Sequence, residues 1–282
     1  MLFGWVVEKY IESFRPLEPH LKNANIKILL KAWVCMIFFS TMLSFIASFV
    51  LIYVLLTYFI EVEIYIYIFS VIFFPVFIAS LVFIFFYLYP IQKEKSRKSS
   101  IETNLPFAIT HMAAIASSGI PTEYMFELLT EFKEYGEISE EAKTIMRNIK
   151  TFGMSSVDAI KNVAESTPSQ SFRELLLGIV TTTESGGNLV EYLHEMAEKS
   201  LFEYRIKREK YLKTLSTYAD IYTALLVAAP LIMLSMLASM SIIGGSVMGL
   251  TIEEMITIIT WLMLPFFNVI FLVFIHVTYP GV

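Results

Sequence analysis

Hydrophobic positions fall into four long runs, 32–60, 64–89, 215–243 and 255–279, set as two pairs about a polar stretch from Lys93 to Lys213. Each run is long enough to carry a helix across a ~30 Å hydrocarbon core, which needs roughly 20 apolar residues. The first would make a helix of roughly 43 Å and is expected to tilt or protrude. Glu61-Val62-Glu63 separates the first two runs, and a loop holding Gly244, Gly245, Ser246, Gly249, Glu253 and Glu254 separates the last two. Pro75, Pro230 and Pro265 sit inside runs, where neighbouring helices can accommodate them. Tyr65, Tyr67, Tyr87 and Tyr89 lie at the ends of the second run, a position aromatic rings favour at the interface.

Before the first run, Leu2, Phe3, Val6, Val7, Tyr10, Ile11 and Phe14 recur at helical spacing, with Trp5 near the boundary. This predicts a short helix, either lying among the headgroups or packed against the polar module. Glu8 and Glu12 follow the apolar start too closely for a cleavable signal peptide.

The polar stretch reads as six helices. The first covers Leu105–Ser118, where Gly119 supplies a C-terminal cap and Pro121 opens the next. Tyr124, Met125, Leu128, Leu129 and Phe132 line a second, ending near Tyr135. Ser139 with Glu140 and Glu141 suits the start of a third, which carries Ile145 and Ile149 and closes at Gly153. Ser155 or Ser156 caps a fourth, ended by Pro168 through its restriction of Thr167. Phe172, Leu175, Leu176 and Ile179 mark a fifth. After the reversal at Glu184-Ser185-Gly186-Gly187-Asn188, a sixth begins at Leu189, and nothing breaks it before the third apolar run. The corners 118–123 and 152–157 resemble one another: each places a glycine, an apolar residue and a helix starter together.

Composition agrees with a polytopic membrane protein: 56% of residues are hydrophobic, 15% are aromatic, and mean hydropathy is +0.64. The expected fold class is therefore an all-α membrane protein, with four transmembrane helices in two hairpins flanking a six-helix cytoplasmic bundle. The boundaries are 1–31, 32–90, 91–213 and 214–282. The charges give the orientation. Five Lys and Arg precede the first run, sixteen lie between Lys93 and Lys213, and none falls elsewhere. The positive-inside bias then puts the polar module and both termini in the cytoplasm. Lys93, Lys95, Arg97 and Lys98 form a basic collar after the second span, and Arg205, Lys207, Arg208, Lys210 and Lys213 form another before the third. Such collars fix topology and meet anionic lipid. The Glu-rich segment between them argues against nucleic acid.

Catalytic and cofactor signatures are not found. No glycine is followed by lysine, so the chain has no phosphate-cradling loop of its own. The segment from His194 to Glu198 carries Glu where a zinc-protease helix needs its second His, and one cysteine with four scattered histidines makes a zinc site improbable. No catalytic residue, cofactor or metal site is expected. Cys35 lies deep in an apolar run and reads as a small apolar side chain. Asp220 is about one turn inside the third run, where reaching the headgroups is cheap. Asn268 and His276 read as helix–helix hydrogen-bonding groups. Glu184 beside Gly186-Gly187 is open to two readings: a carboxylate offered to a partner or cation, or a tight helix–helix turn. The candidate partner contacts are Glu184, Gly186, Gly187, Asn188, Arg205 and Arg208.

Four motifs in order carry a resemblance. They are Leu105-Pro106-Phe107-Ala108 through Ala113-Ala114, Gly119-Ile120-Pro121, Gly153 to Ala159, and Glu184 to Leu189 followed by Leu193 to Ala197. Between spanning helices, this series resembles the inner-membrane platform family of type II secretion and type IV pilus machines. The single module is similar to tight-adherence members, or to one half of archaeal archaellum and adhesion-pilus platforms, and the stretch from Lys22 to Lys27 resembles the archaeal members. The resemblance implies a platform that couples a separate cytoplasmic hexameric ATPase to extraction of pilin- or archaellin-like subunits from the bilayer. It also implies a homodimer, or pairing with a second platform chain. The alternative is a polytopic transporter or channel with a cytoplasmic regulatory helical domain.

Overall fold

The computed structural model describes residues 11–58, 63–244, 246–247 and 249–278. They divide into two compact units, 1–200 and 201–282. The protein is an all-α, multi-pass membrane protein, with four helices among the described residues long and apolar enough to cross a bilayer.

The first unit opens with residues 11–14 in a helical turn and α1 (Leu17–Asn23). The expected helix from Leu2, with Trp5, falls mostly on residues outside the described set. What is described packs on the base of a helical hairpin made by α2 (Leu30–Tyr58) and α3 (Ile64–Ser117). Phe14, Leu17 and Leu21 are buried there with Trp33, Val34 and Ile37. The Phe14 ring meets Phe38, Phe83 and Tyr87 edge-on, at centroid distances of 6.1, 6.3 and 6.1 Å. On the outer surface of the hairpin, side chains such as Phe39, Leu51, Phe69 and Phe85 stay exposed, as lipid-facing residues do.

α3 differs from the sequence reading. The second span and the first bundle helix are one 54-residue helix, which contains Pro75, Pro90 and Pro106. The intervening residues 91–104 include Gln92, Lys93, Glu94, Lys95 and Arg97, all good helix formers, and no glycine interrupts them. Each proline removes one backbone bond without ending the helix. Beyond the collar, Ile101, Leu105, Ala108, Ile109 and Met112 form a buried stripe at 3.6-residue spacing.

On that stripe sit α4 (Thr122–Glu131), a 3₁₀ turn at Lys133–Tyr135, α5 (Glu137–Lys150), α6 (Ser156–Ser166), α7 (Gln170–Glu184) and the start of α8 (Leu189–Tyr222). The core is one cluster that includes Met125, Phe126, Ile138, Ile145, Ile160, Phe172, Leu175, Ile179 and Leu193. α5 begins two residues earlier than expected. Ser139 is not its cap: the Ser139 side chain is buried and donates to the Thr130 carbonyl at 3.1 Å. The residue before the helix is Gly136 (φ 55°, ψ −120°), a conformation closed to L side chains. A Cβ there would stand 2.7 Å from Ser100 Oγ on α3. Ser155 and Ser169 cap α6 and α7 by accepting from Asp158 N and Phe172 N.

In the second unit α8 runs to Tyr222, then passes through a π turn (Thr223–Ala228) into α9 (Ala229–Ile243). Two short strands, β1 (Ser246–Val247) and β2 (Leu250–Thr251), pair antiparallel at the tip. α10 (Ile252–Ile258) follows, with a second π turn (Ile259–Met263) leading into α11 (Leu264–Thr278). Both wide turns end two residues before a proline, Pro230 and Pro265. Proline cannot donate and pushes away the carbonyl one turn back. The i→i−5 bonds from Ala229 to Ala224 and from Leu264 to Ile259 absorb that displacement. The two turns face each other across an apolar cavity of about 230 Å³, lined among others by Leu226, Pro230, Met233, Ile259 and Phe267.

Candidate functional site

The corner 184–188 is an exposed reversal built by its own backbone. Gly187 N–H reaches the Thr182 carbonyl at 2.8 Å and Gly186 N–H the Thr183 carbonyl at 3.3 Å, the paired bonds of a Schellman cap. Gly186 takes the left-handed conformation this cap requires, at φ 68°. Asn188 Oδ1 accepts from Glu191 N at 3.2 Å and starts α8, as its residue type suggests. The Glu184 carboxylate is engaged: Lys161 Nζ of α6 donates to it at 2.7 Å. The corner therefore brings Glu184, Gly186, Gly187 and Asn188 together. Arg205 and Arg208 belong to the second unit, both exposed on α8, with Arg208 donating to Tyr204 Oη at 3.1 Å.

Just behind this corner, α7 and α8 approach very closely. The Tyr192 ring lies over Gly178, where an added Cβ would come within 1.9 Å of its hydroxyl oxygen. That hydroxyl donates toward the carbonyls of Leu175 and Glu174, at 3.3 and 3.4 Å. Burial pushes the Tyr192 hydroxyl pKa up, and Glu174 and Glu195 add to the effect. On the neighbouring face His194 Nε2 is hydrogen-bonded to Ser117 Oγ at 3.0 Å, joining α8 to the last turn of α3.

The two similar corners after α3 and α5 are drawn together around α4. Ser156 Oγ donates to Glu123, and Lys150 Nζ donates to Glu127 at 2.5 Å. Nothing in the sequence pairs these residues in advance, because 33 and 23 positions separate them.

A polar joint at the foot of the bundle went unseen in the sequence. Arg97, read there as one member of a collar, is buried. Its Nε donates to Glu137 at 2.8 Å and its Nη2 to Glu141 at 2.6 Å, while Nη1 donates to the Asn23 carbonyl. One turn earlier on α3, Glu94 accepts from His20 and from Asn23 Nδ2, the latter at 2.8 Å. One cation thus ties α1, α3 and α5 together. Burial pushes the Glu141 carboxyl up to about 7; Arg97 opposes this, and Glu137 reinforces it. The available signal was the Glu137/Glu141 pair at i, i+4 on α5, bordering the apolar stripe of Ile138, Ala142 and Ile145.

Among the described residues, no group of three or more His, Cys, Asp or Glu could hold a metal ion.

Residues 108–237 match the family model of type II secretion system protein F. This stretch is similar to the protein F domain of type II secretion systems. The domain begins inside α3 and ends inside α9, so it includes all three Gly corners and most of the third span. Arg97 and α1 lie before it, whereas Glu137 and Glu141, which Arg97 holds, lie within it. Three curated archaeal relatives are similar to the chain over 142, 137 and 137 residues. An uncharacterized Methanocaldococcus jannaschii protein is 25% identical over 142 residues, covering 50% of this chain and 24% of the relative. Flagella accessory protein J of Methanococcus voltae is 26% identical, covering 48% of this chain and 25% of that protein. The Methanocaldococcus jannaschii protein of the same name is 24% identical, covering 48% and 24%. The matched stretch spans about a quarter of the length of these relatives. No solved structure matches the chain.

Proposed function

We propose that this chain is the integral-membrane platform of a machine that assembles a type IV pilus-like or archaellum-like filament, or drives type II-like secretion. In this role it couples a separate cytoplasmic hexameric ATPase to extraction of pilin- or archaellin-like subunits from the bilayer, and does no chemistry itself. The observation that carries the reading is the protein F match over 108–237, whose corners are formed by the motifs behind the resemblance and which lies among four apolar spans. The distribution of Lys and Arg supports a cytoplasmic bundle at 91–213 with both termini inside. The relatives named for a flagellar accessory function favour the archaellum branch. On this reading Glu184, Gly186, Gly187 and Asn188 form one contact region for other components, and Arg205 and Arg208 another. Two copies, or this chain with a second platform chain, make the working unit.

The test is reconstitution. The chain in lipid nanodiscs is mixed with a purified secretion ATPase from the same organism, and ATP turnover and co-elution are measured. Stoichiometric co-elution with altered turnover is the expected result. Uptake of a solute by liposomes holding the chain alone, with no ATPase binding, points instead to the transporter alternative.

A further inference from the structure

The two corners that look alike in sequence, Gly119-Ile120-Pro121 and Phe152-Gly153-Met154, are held on either side of α4 by the Ser156–Glu123 and Lys150–Glu127 contacts. Each corner leaves apolar surface uncovered. Tyr124 is 58% exposed and Phe152 67%, with Ile120 and Leu128 also exposed. Exposed single apolar residues are ordinary. Two large aromatics with two aliphatics around one short helix make a patch of the kind that marks a docking surface.

The charges around the patch identify what fits it. α4 carries Glu123, Glu127 and Glu131 and no basic residue, and Asp158 follows on α6. Lys150 and Glu127 offset one another, which leaves Glu123, Glu131 and Asp158. The rim is therefore acidic and suits a basic partner. Distance from the bilayer excludes lipid. From Pro90, at the end of the apolar run, α3 continues to Ser117, about 40 Å of helix at 1.5 Å per residue. The corner at Gly119 follows directly, far outside the reach of headgroups. The basic stretches of a second copy, 93–98 and 205–213, adjoin the apolar runs and would lie close to the bilayer, at the wrong height to meet this patch.

We propose that Tyr124, Leu128, Ile120 and Phe152 form the docking surface for a Lys/Arg-flanked apolar segment of a soluble protein. This rests on the platform reading, under which the soluble protein is the ATPase.

The experiment titrates the full chain in neutral-lipid nanodiscs with the purified ATPase at low and high salt. Three variants are compared with the parent chain: Tyr124→Ser with Phe152→Ser, Glu131→Lys, and Leu177→Ser as an exposed apolar change on α7. Glu131→Lys leaves the Ser156–Glu123 and Lys150–Glu127 contacts intact, so it stays informative should the double variant fold poorly. The expected result is a Kd raised about tenfold or more by each of the first two changes and unchanged by the third, with salt weakening the parent's binding. Equal binding by the parent and both patch variants overturns the surface and leaves the platform reading standing. No binding by the parent overturns both. A photo-crosslinker at Phe152 in living cells gives an independent readout. A product with a Lys/Arg-rich ATPase peptide supports the assignment; a product with a second copy or with lipid overturns it.

Discussion

Arg97 and Glu141, 44 residues apart in sequence, meet at 2.6 Å with both side chains almost fully removed from water. The same guanidinium holds Glu137 and the Asn23 carbonyl. Removing one member of such a group leaves a buried charge without compensation, which costs about 3–5 kcal/mol. Arg97→Met is expected to lower the thermal unfolding midpoint of the detergent-solubilised chain sharply. Adding Glu141→Leu should recover a large part of the loss. A double variant no more stable than Arg97→Met would show that the pair is not what holds the joint.

The Glu141 carboxyl gives the joint a pH dependence of definite sign. Its pKa in the folded chain is raised from 4.5 to about 7 because burial outweighs the attraction of Arg97. The folded state therefore binds this proton more tightly than the unfolded one. The resulting stabilisation is complete below about 4.5 and is lost as pH rises through about 7. Unfolding measured across that window should show parent stability falling relative to Glu141→Gln. A difference between the two that does not change with pH would count against the assignment.

Gly178 should be intolerant of any side chain, despite its place inside a helix where alanine ordinarily helps. Gly178→Ala drives a methyl into the Tyr192 ring. Overpacking of this kind costs about 1–3 kcal/mol. Tyr192→Leu in the same chain should restore much of it, and the two changes should be strongly non-additive in a double-mutant cycle.

In the second unit Tyr222 Oη donates to Asn268 Oδ1 at 3.0 Å, while Asn268 Nδ2 donates to the Leu264 carbonyl at 2.8 Å. Side-chain hydrogen bonds between spanning helices couple by about 0.6 kcal/mol on average. Tyr222→Phe and Asn268→Leu should show a coupling of that order in bicelle unfolding. Strict additivity would mean that the bond contributes nothing in lipid.

The features that the sequence made legible are those decided within a few residues. Asn188 and Ser155 cap helices as their types suggest, Thr167 before Pro168 ends α6, and Gly119, Gly153 and Gly186 all adopt positive φ. Asn268 was expected to bridge helices and does so. Harder to read was anything decided by burial between distant segments. Lys93, Lys95, Arg97 and Lys98 look equivalent as a string of cations; only the packing of α5 and α1 against one face of α3 separates Arg97 from the rest. Ser139 followed by two glutamates is a good local helix start, yet the contact between Gly136 and Ser100 begins α5 earlier and turns Ser139 inward. The tight approach at Gly178 likewise depends on Tyr192 from another helix.

The paired wide turns change how the third and fourth spans present themselves to lipid. A π turn holds one residue more than an α turn, so every position beyond it is rotated by about 100° relative to the pattern before it. A stripe of substitutions followed along either helix should therefore slip in phase between 223 and 228 and between 259 and 263. Because the two slips face each other, the outer halves still meet, as Leu237 and Ile252 do. Scanning mutagenesis that assumes one continuous helical wheel would put half of each helix on the wrong side.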